Sequence, residues 1–173
     1  MFNFDVEEQD WEWEDVHTCN FKCTIETKLR SFYFKLFHRA IALNVFLHKI
    51  GRRDTLLCSF CCNQPETFVP LFCDCDKVKP IWQELQNFIN TKCHSDYDFN
   101  HFDKLFGFPQ ERWLTYLLLC CKFYIYCCKF QNDTPSFRAF KSFLITKRNL
   151  EYNLAKKHGK LSLHFKKWCF DLN

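Results

Sequence analysis

The sequence predicts an all-α fold, and three observations carry that reading. Glycine and proline are scarce, 3 and 5 in 173 residues, too few turn formers for a strand-rich architecture. Apolar residues recur at three- and four-residue steps along most of the chain. With 47% hydrophobic residues and 22 Phe, the chain can bury a core rather than remain a disordered tail.

Residues 1 to 16 form an acidic lead with seven carboxylates (Asp5, Glu7, Glu8, Asp10, Glu12, Glu14, Asp15) and no Lys or Arg. This lead reads as loosely ordered, with Trp11 and Trp13 as docking side chains. The division that follows is a helical arm plus cysteine segment over 17–92 and a helical region over 93–173. From Lys28 one helix is expected, with Leu29, Phe32, Tyr33, Leu36, Ala40, Leu43 and Leu47 on one face. Gly51 in "GRRD" ends it. Pro65 and Pro70 block any long helix in the cysteine segment.

Asp76 to Asn90 reads as a helix with Ile81, Trp82, Leu85, Phe88 and Ile89 inward. "DYDFNHFDKLFGFP" is a connector with a short helical turn. Pro109 to Phe130 is a second apolar helix. Its run "LTYLLLCCKFYIYCCKF" is short for a membrane span and has Lys122 at its middle, so it reads as buried. Cys120, Cys121, Cys127 and Cys128 in it repeat at seven residues and read as core.

The last element, Phe137 to Trp168, puts Phe140, Phe143, Leu144, Leu150, Leu154, Leu161, Phe165 and Trp168 on one side of an ideal wheel. Arg138, Lys141, Arg148, Lys156, Lys160 and Lys167 share another. The chain thus ends in a long basic amphipathic helix, with Gly159 as its one candidate break.

The net charge of +4 conceals this asymmetry: beyond the acidic lead, 24 basic residues face 13 acidic ones. Such a body suits a polyanion, although a solvated surface is the commoner cause. No basic n-region with an apolar h-region opens the chain, so it is expected to be intracellular, in nucleus or cytoplasm, and not secreted. Its 13 cysteines are then core residues or metal ligands rather than a disulfide frame.

"CSFCCNQPETFVPLFCDC", Cys58 to Cys75, concentrates five of those cysteines. Zinc takes four ligands in a tetrahedron, usually thiolates and imidazoles. Cys58-x2-Cys61 is a first pair that one turn can present. Cys75 fits a second pair, with Cys73, Cys62 or a distant His such as His48 as the fourth. Spacing alone weighs this evenly against chance in a cysteine-rich chain. Cys19-x3-Cys23 and the Asp96/Asp98 pair carry less, since neither has accompanying ligands, base or nucleophile. Phe32, Tyr33, Phe37 and Phe60 would stack on bases if exposed, but their helical spacing favours the core.

The stretch "LRSFYFKLFHRAIALNVFLHKIGRRDTLLCSFC" resembles the approach to the zinc-binding domain of non-LTR (LINE-type) retrotransposon reverse transcriptases. That family continues Glu-Thr-x2-His-Leu-Phe-x2-Cys and then a Trp-bearing helix. Here stand Glu66, Thr67, Pro70 at the His position, Leu71, Phe72 and Cys75, then "IWQELQNFI". "WEDVHTCNFKCTIETKLRSF", "CKFYIYCCKFQNDTPSFRAFKSFL" and "EYNLAKKHGKLSLHFKKW" are similar to other parts of such polyproteins. The resemblance therefore runs from Trp13 to Trp168.

It implies a Cys-Cys-His-Cys site in which Cys58, Cys61 and Cys75 are kept. Pro70 has no side-chain donor, so Cys73 is the substitute, in a cramped Cys-x-Cys pair. Polymerase and endonuclease lie upstream in the family, and this chain has no Asp-Asp pair and no glycine-rich phosphate loop. The expectation is a non-catalytic module that contacts RNA or DNA backbone with low sequence specificity, polymerase parts being supplied by another chain. Lys28, Arg30, Lys35, Arg39, Lys49, Arg52 and Arg53 are the first candidate contacts. Lys141, Arg148, Lys156, Lys160 and Lys167 are the second. The alternative is a diverged relic, or a helical domain that docks on protein, without retained nucleic-acid binding.

Overall fold

A computed structural model describes residues 13–168; the lead up to Glu12, with Trp11, lies outside the described residues. Among them the fold is all-α: α1 (Trp13–Lys22), α2 (Thr27–Phe37), α3 (Asn44–Lys49), a π-helical turn (Pro70–Asp74), α4 (Lys79–Cys93), α5 (His101–Phe106), α6 (Arg112–Gln131), α7 (Phe137–Lys157) and α8 (Leu161–Lys167). The one β pairing among the described residues is an isolated antiparallel bridge, Leu57 with Pro65.

α6 is the centre. It packs against α1, α2, α5 and α7. By length and composition it is apolar enough to cross a membrane, yet most of it is enclosed: Leu114, Leu118, Leu119, Cys120, Cys121 and Ile125 are inaccessible. One continuous core joins residues from Val16 to Trp168, including Leu29 and Tyr33 of α2, Phe72 of the π-helical turn, Ile81 and Leu85 of α4, and Phe140 of α7. Each buried aliphatic or aromatic side chain stabilises such a core by about 1.5–3 kcal/mol.

The expected helix from Lys28 to Leu47 is broken in two. α2 stops at Phe37, Arg39 turns left-handed (φ 55°), and the Ala40 N–H returns to the Lys35 carbonyl at 2.6 Å. Ala40 is exposed while Ile41, outside the predicted stripe, is buried. The reason is tertiary. The Ala42 N–H donates to the Tyr126 hydroxyl (3.0 Å) and its carbonyl accepts from Lys129 Nζ (2.5 Å), so α6 satisfies the backbone that a continuous helix would have satisfied itself.

α4 begins at Lys79 rather than Asp76 and ends where His94 adopts φ 50°. Ile81, Trp82, Leu85 and Ile89 are buried as expected, and Phe88 is half-buried. Trp82 Nε1 donates to the Phe72 carbonyl (2.5 Å), tying α4 to the π-helical turn.

The long terminal helix does break at Gly159 (φ 66°), and α8 folds back onto α7. A single wheel therefore fails beyond residue 159: Trp168 is buried, but Phe165 is 58% exposed. Glu151 makes the fold-back. It accepts from Thr24 Oγ1 (3.0 Å), Lys167 Nζ (2.7 Å) and Trp168 Nε1 (3.2 Å). Lys147, on the same helix, pairs with buried Glu26 at 2.5 Å.

Candidate metal centre

The cysteine segment is a short loop closed on itself. The Leu57–Pro65 bridge is flanked by Cys58 N–H to Gln64 O (2.8 Å) and Glu66 N–H to Leu56 O (2.9 Å). Between them the chain turns through Cys58-Ser59-Phe60-Cys61. The Cys62 N–H reaches the Cys58 carbonyl (3.0 Å), and Cys62 takes a left-handed φ of 56°, a conformation that favours glycine.

This turn and the end of the π-helical turn bring Cys58, Cys61 and Cys75 together. Their sulfurs all lie within 4.8 Å of one another, and Cys58 Sγ and Cys75 Sγ are 3.7 Å apart. Such a group can hold a metal ion. Burial pushes the Cys58 thiol up, against backbone N–H groups of Cys61 and Phe60 that favour its thiolate. Burial also pushes Cys75 up to about 12 against the Lys77 N–H. For Cys61 burial is outweighed by the N–H of Asn63, the neighbouring thiols and the N–H of Gln64, and its thiol is lowered. Amides aimed at sulfur are the surroundings a thiolate ligand needs.

Cys73, the expected substitute, is not in this group. It is buried in the hydrophobic core, and desolvation pushes it up to about 12. The Cys-x-Cys spacing permits proximity, but the π-helical turn sends Cys73 inward and Cys75 to the loop. Pro70 opens the π-helical turn, and its carbonyl accepts the Cys75 N–H at 3.0 Å. His48 Nδ1 lies 3.0 Å from the Arg53 carbonyl. Cys62 is exposed. Cys19, Cys23, Cys120, Cys121 and Cys128 are buried, and Cys127 is half-buried.

Sequence reasoning missed the group that organises the loop. Glu66 is fully buried. Its Oε1 accepts from the Asn44 N–H (2.8 Å) and from buried Lys129, while Oε2 accepts from the N–H (2.8 Å) and hydroxyl (2.6 Å) of Ser59. One carboxylate thus joins the first turn of α3, the Cys58-x2-Cys61 turn and α6. Asn44 Nδ2 adds bonds to Leu57 O (2.7 Å) and Ser59 Oγ (3.1 Å). Desolvation lowers the Lys129 pKa, and its bond to Glu66 opposes the shift. Glu66 stands close to the Cys-x2-Cys turn in sequence, but nothing in its spacing hints at Lys129 as its partner.

The basic candidates fall into three settings. Lys28, Lys35, Arg39, Lys49, Arg52, Arg53, Lys156 and Lys160 are exposed, and Lys141 and Arg148 are half-buried. Arg30 is engaged, its Nε donating to Thr24 O (2.7 Å) with its guanidinium over Phe21. Lys167 is paired with Glu151 and lies over the Tyr116 ring. Phe32 and Tyr33 are buried and Phe37 and Phe60 half-buried, so none offers a free stacking face. Asp98 accepts a long bond from Gln86 (3.5 Å) in the exposed connector that also holds Asp96.

No known protein-family model matches the sequence, and no curated protein matches it.

Proposed function

We propose that the chain is a non-catalytic module that holds one zinc ion on Cys58, Cys61 and Cys75 and binds RNA or DNA backbone with the basic residues beside it. The resemblance to the zinc-binding region of non-LTR reverse transcriptases supports this reading. The observation that carries it is the three-thiol group with Lys49, Arg52 and Arg53 exposed on the adjoining turn. Zinc–sulfur bonds of about 2.3 Å in a tetrahedron put sulfurs about 3.8 Å apart. The Cys58–Cys75 separation of 3.7 Å fits that edge. Zinc would supply structural cross-linking of the loop to the π-helical turn. A fourth position remains for water or another donor.

The turn that carries the arginines is itself set by hydrogen bonds. The Arg52 N–H donates to Leu47 O (2.8 Å), and His48 Nδ1 engages the Arg53 carbonyl. A loop fixed by zinc then fixes the spacing of these charges against phosphates. Contacts of this kind are salt-dependent and weakly sequence-selective.

Two measurements test the proposal. Protein purified under reducing conditions should hold one zinc per chain, and Cys58→Ser should lose it. Anisotropy titration with a single-stranded 20-mer should weaken steeply with salt, the slope falling by about 1.4 when Arg52 and Arg53 become Ala. Zinc-free protein that binds no oligonucleotide sinks the proposal. A protein-docking reading is favoured by exposed Phe46 and Ile50 on and after α3 and by exposed Phe130, 50–54% accessible. It predicts self-association insensitive to salt.

A further inference from the structure

α1, the start of α6, the end of α7 and α8 enclose a cleft of about 500 Å³. Lys22, Arg112, Lys160, Lys166, Lys167 and His164 line it. Its two carboxylates are already engaged: Glu151 by Thr24, Lys167 and Trp168, and Glu111 by the Tyr97 hydroxyl at 2.6 Å. Lys22, Arg112, Lys160 and Lys166 are exposed and make no salt bridge with the described residues. Four cations therefore converge on one cavity without counter-charges of their own among the described residues.

Two further features mark the cleft as a site, and the first points to an anion. The N-terminus of α6, a 20-residue helix, opens at the cleft and has no side-chain cap. Its amides and dipole favour negative charge there. Independently, His164 is 6% exposed and its Nδ1 is a buried polar atom without a hydrogen-bond partner. Buried polar atoms are almost always paired, and among the residues that line the cleft His164 alone carries such an orphan atom. Apolar side chains complete the lining, with Ile25, Trp113 and Leu163 among them. Both the volume and this mixture of apolar wall and few polar groups are those of a small-molecule pocket.

We propose that this cleft binds an organic phosphate of nucleotide size. The phosphates sit on Arg112, Lys166 and the α6 amides, and the apolar part lies against Trp113 and Leu163. A free nucleotide and the 5′-phosphorylated end of a nucleic-acid strand present the same chemistry. The inference does not rest on the zinc loop or on the Arg52/Arg53 turn.

The test is calorimetric titration of the full chain with ATP, followed by competition with tetrathymidylate carrying a 5′-phosphate or a 5′-hydroxyl. ATP should bind, and Arg112→Ala/Lys166→Ala should weaken it roughly ten- to a hundredfold while the far-ultraviolet circular dichroism is unchanged. Lys160→Glu serves if the double variant loses helicity. Competition by the phosphorylated tetramer alone marks a strand end as a ligand, and no competition by either marks a free nucleotide. No heat at about 1 mM ATP, or equal affinity in the folded variants, overturns the proposal. Arg52→Glu/Arg53→Glu should leave ATP binding intact, which separates failure of the cleft from failure of the zinc-loop reading.

Discussion

The loop from Leu56 to Cys75 and the pair α6–α7 are held by different physics. α6 and α7 are apolar surfaces in contact: Leu118 and Leu144 are buried, and Phe140 rests against Tyr124 at 5.5 Å. From Leu56 to Thr67 the loop buries only Cys58 and Glu66, while Leu71, Phe72 and Cys73 of the π-helical turn belong to the core. The loop is held by one carboxylate, Glu66, whose oxygens meet four donors, and by three thiols within 4.8 Å. An apolar contact fails gradually, by the volume removed. A polar hub fails at once, because each partner left behind is a buried group without a bond.

That difference is open to test, beginning with the largest effect. Glu66→Ala leaves Lys129 buried and unpaired, and should cost roughly 3–5 kcal/mol in urea unfolding. It should also abolish metal uptake, since Ser59 loses its anchor. A loss below about 1 kcal/mol would place the loop's stability elsewhere. Leu118→Ala should cost roughly 2–5 kcal/mol while metal uptake of the folded fraction is unchanged. Loss of metal there would erase the distinction between the regions.

Alkaline pH titrates buried thiols in both regions, Cys58 and Cys75 in the loop and several more in the helical half. Burial raises the thiol of Cys23 from 9.0 to about 12 and raises Cys120 and Cys121. A raised acid contributes stability that is full below its unfolded value and lost above it, at roughly 1.4 kcal/mol per thiol per pH unit. Lys122 works the other way. Desolvation lowers it from 10.5 to about 8, so its destabilisation is full below 8 and relieved as pH nears 10.5. One lysine against these three thiols, joined by raised Cys19, Cys127 and Cys128, gives stability that rises slightly from pH 8 and falls beyond pH 9. Urea midpoints in reducing buffer check this, and a monotonic rise to pH 10 would refute it. The smallest effect belongs to the loop: Cys62→Gly should raise stability by about 1 kcal/mol by relieving the left-handed backbone.

The same contrast explains what could be read from residues alone. α4 was legible because Ile81, Trp82 and Leu85 declare a face that tertiary structure then uses. The turn at Gly159 was legible because glycine is the natural occupant of φ 66°. The break at residues 38–43 was not, because Arg39 holds a left-handed turn without glycine and apolar spacing runs through it. No spacing assigns partners to buried Lys122, Lys129 and Lys147, and only α6 and α7 packing reveals that their charges meet Leu105 O, Glu66 and Glu26. Of the candidate ligands, the Cys-x2-Cys turn and Cys75 are brought together. Cys73 goes elsewhere because the phase of a π-helical turn cannot be inferred from spacing.

Glu151 joins Thr24 to Lys167 and Trp168, and Lys147 meets Glu26. During synthesis these partners appear more than a hundred residues apart. α1 and α2 can dock on α6 as it emerges, but Glu26 stays without its cation until α7 follows. Thr24 waits longer still. The segment of α1 and α2 therefore stays unsealed until α7 is made, and closure is completed when α8 turns back. A ribosome stalled before Gly159 should present this segment to proteases, and one stalled after Trp168, with the tunnel cleared, should not.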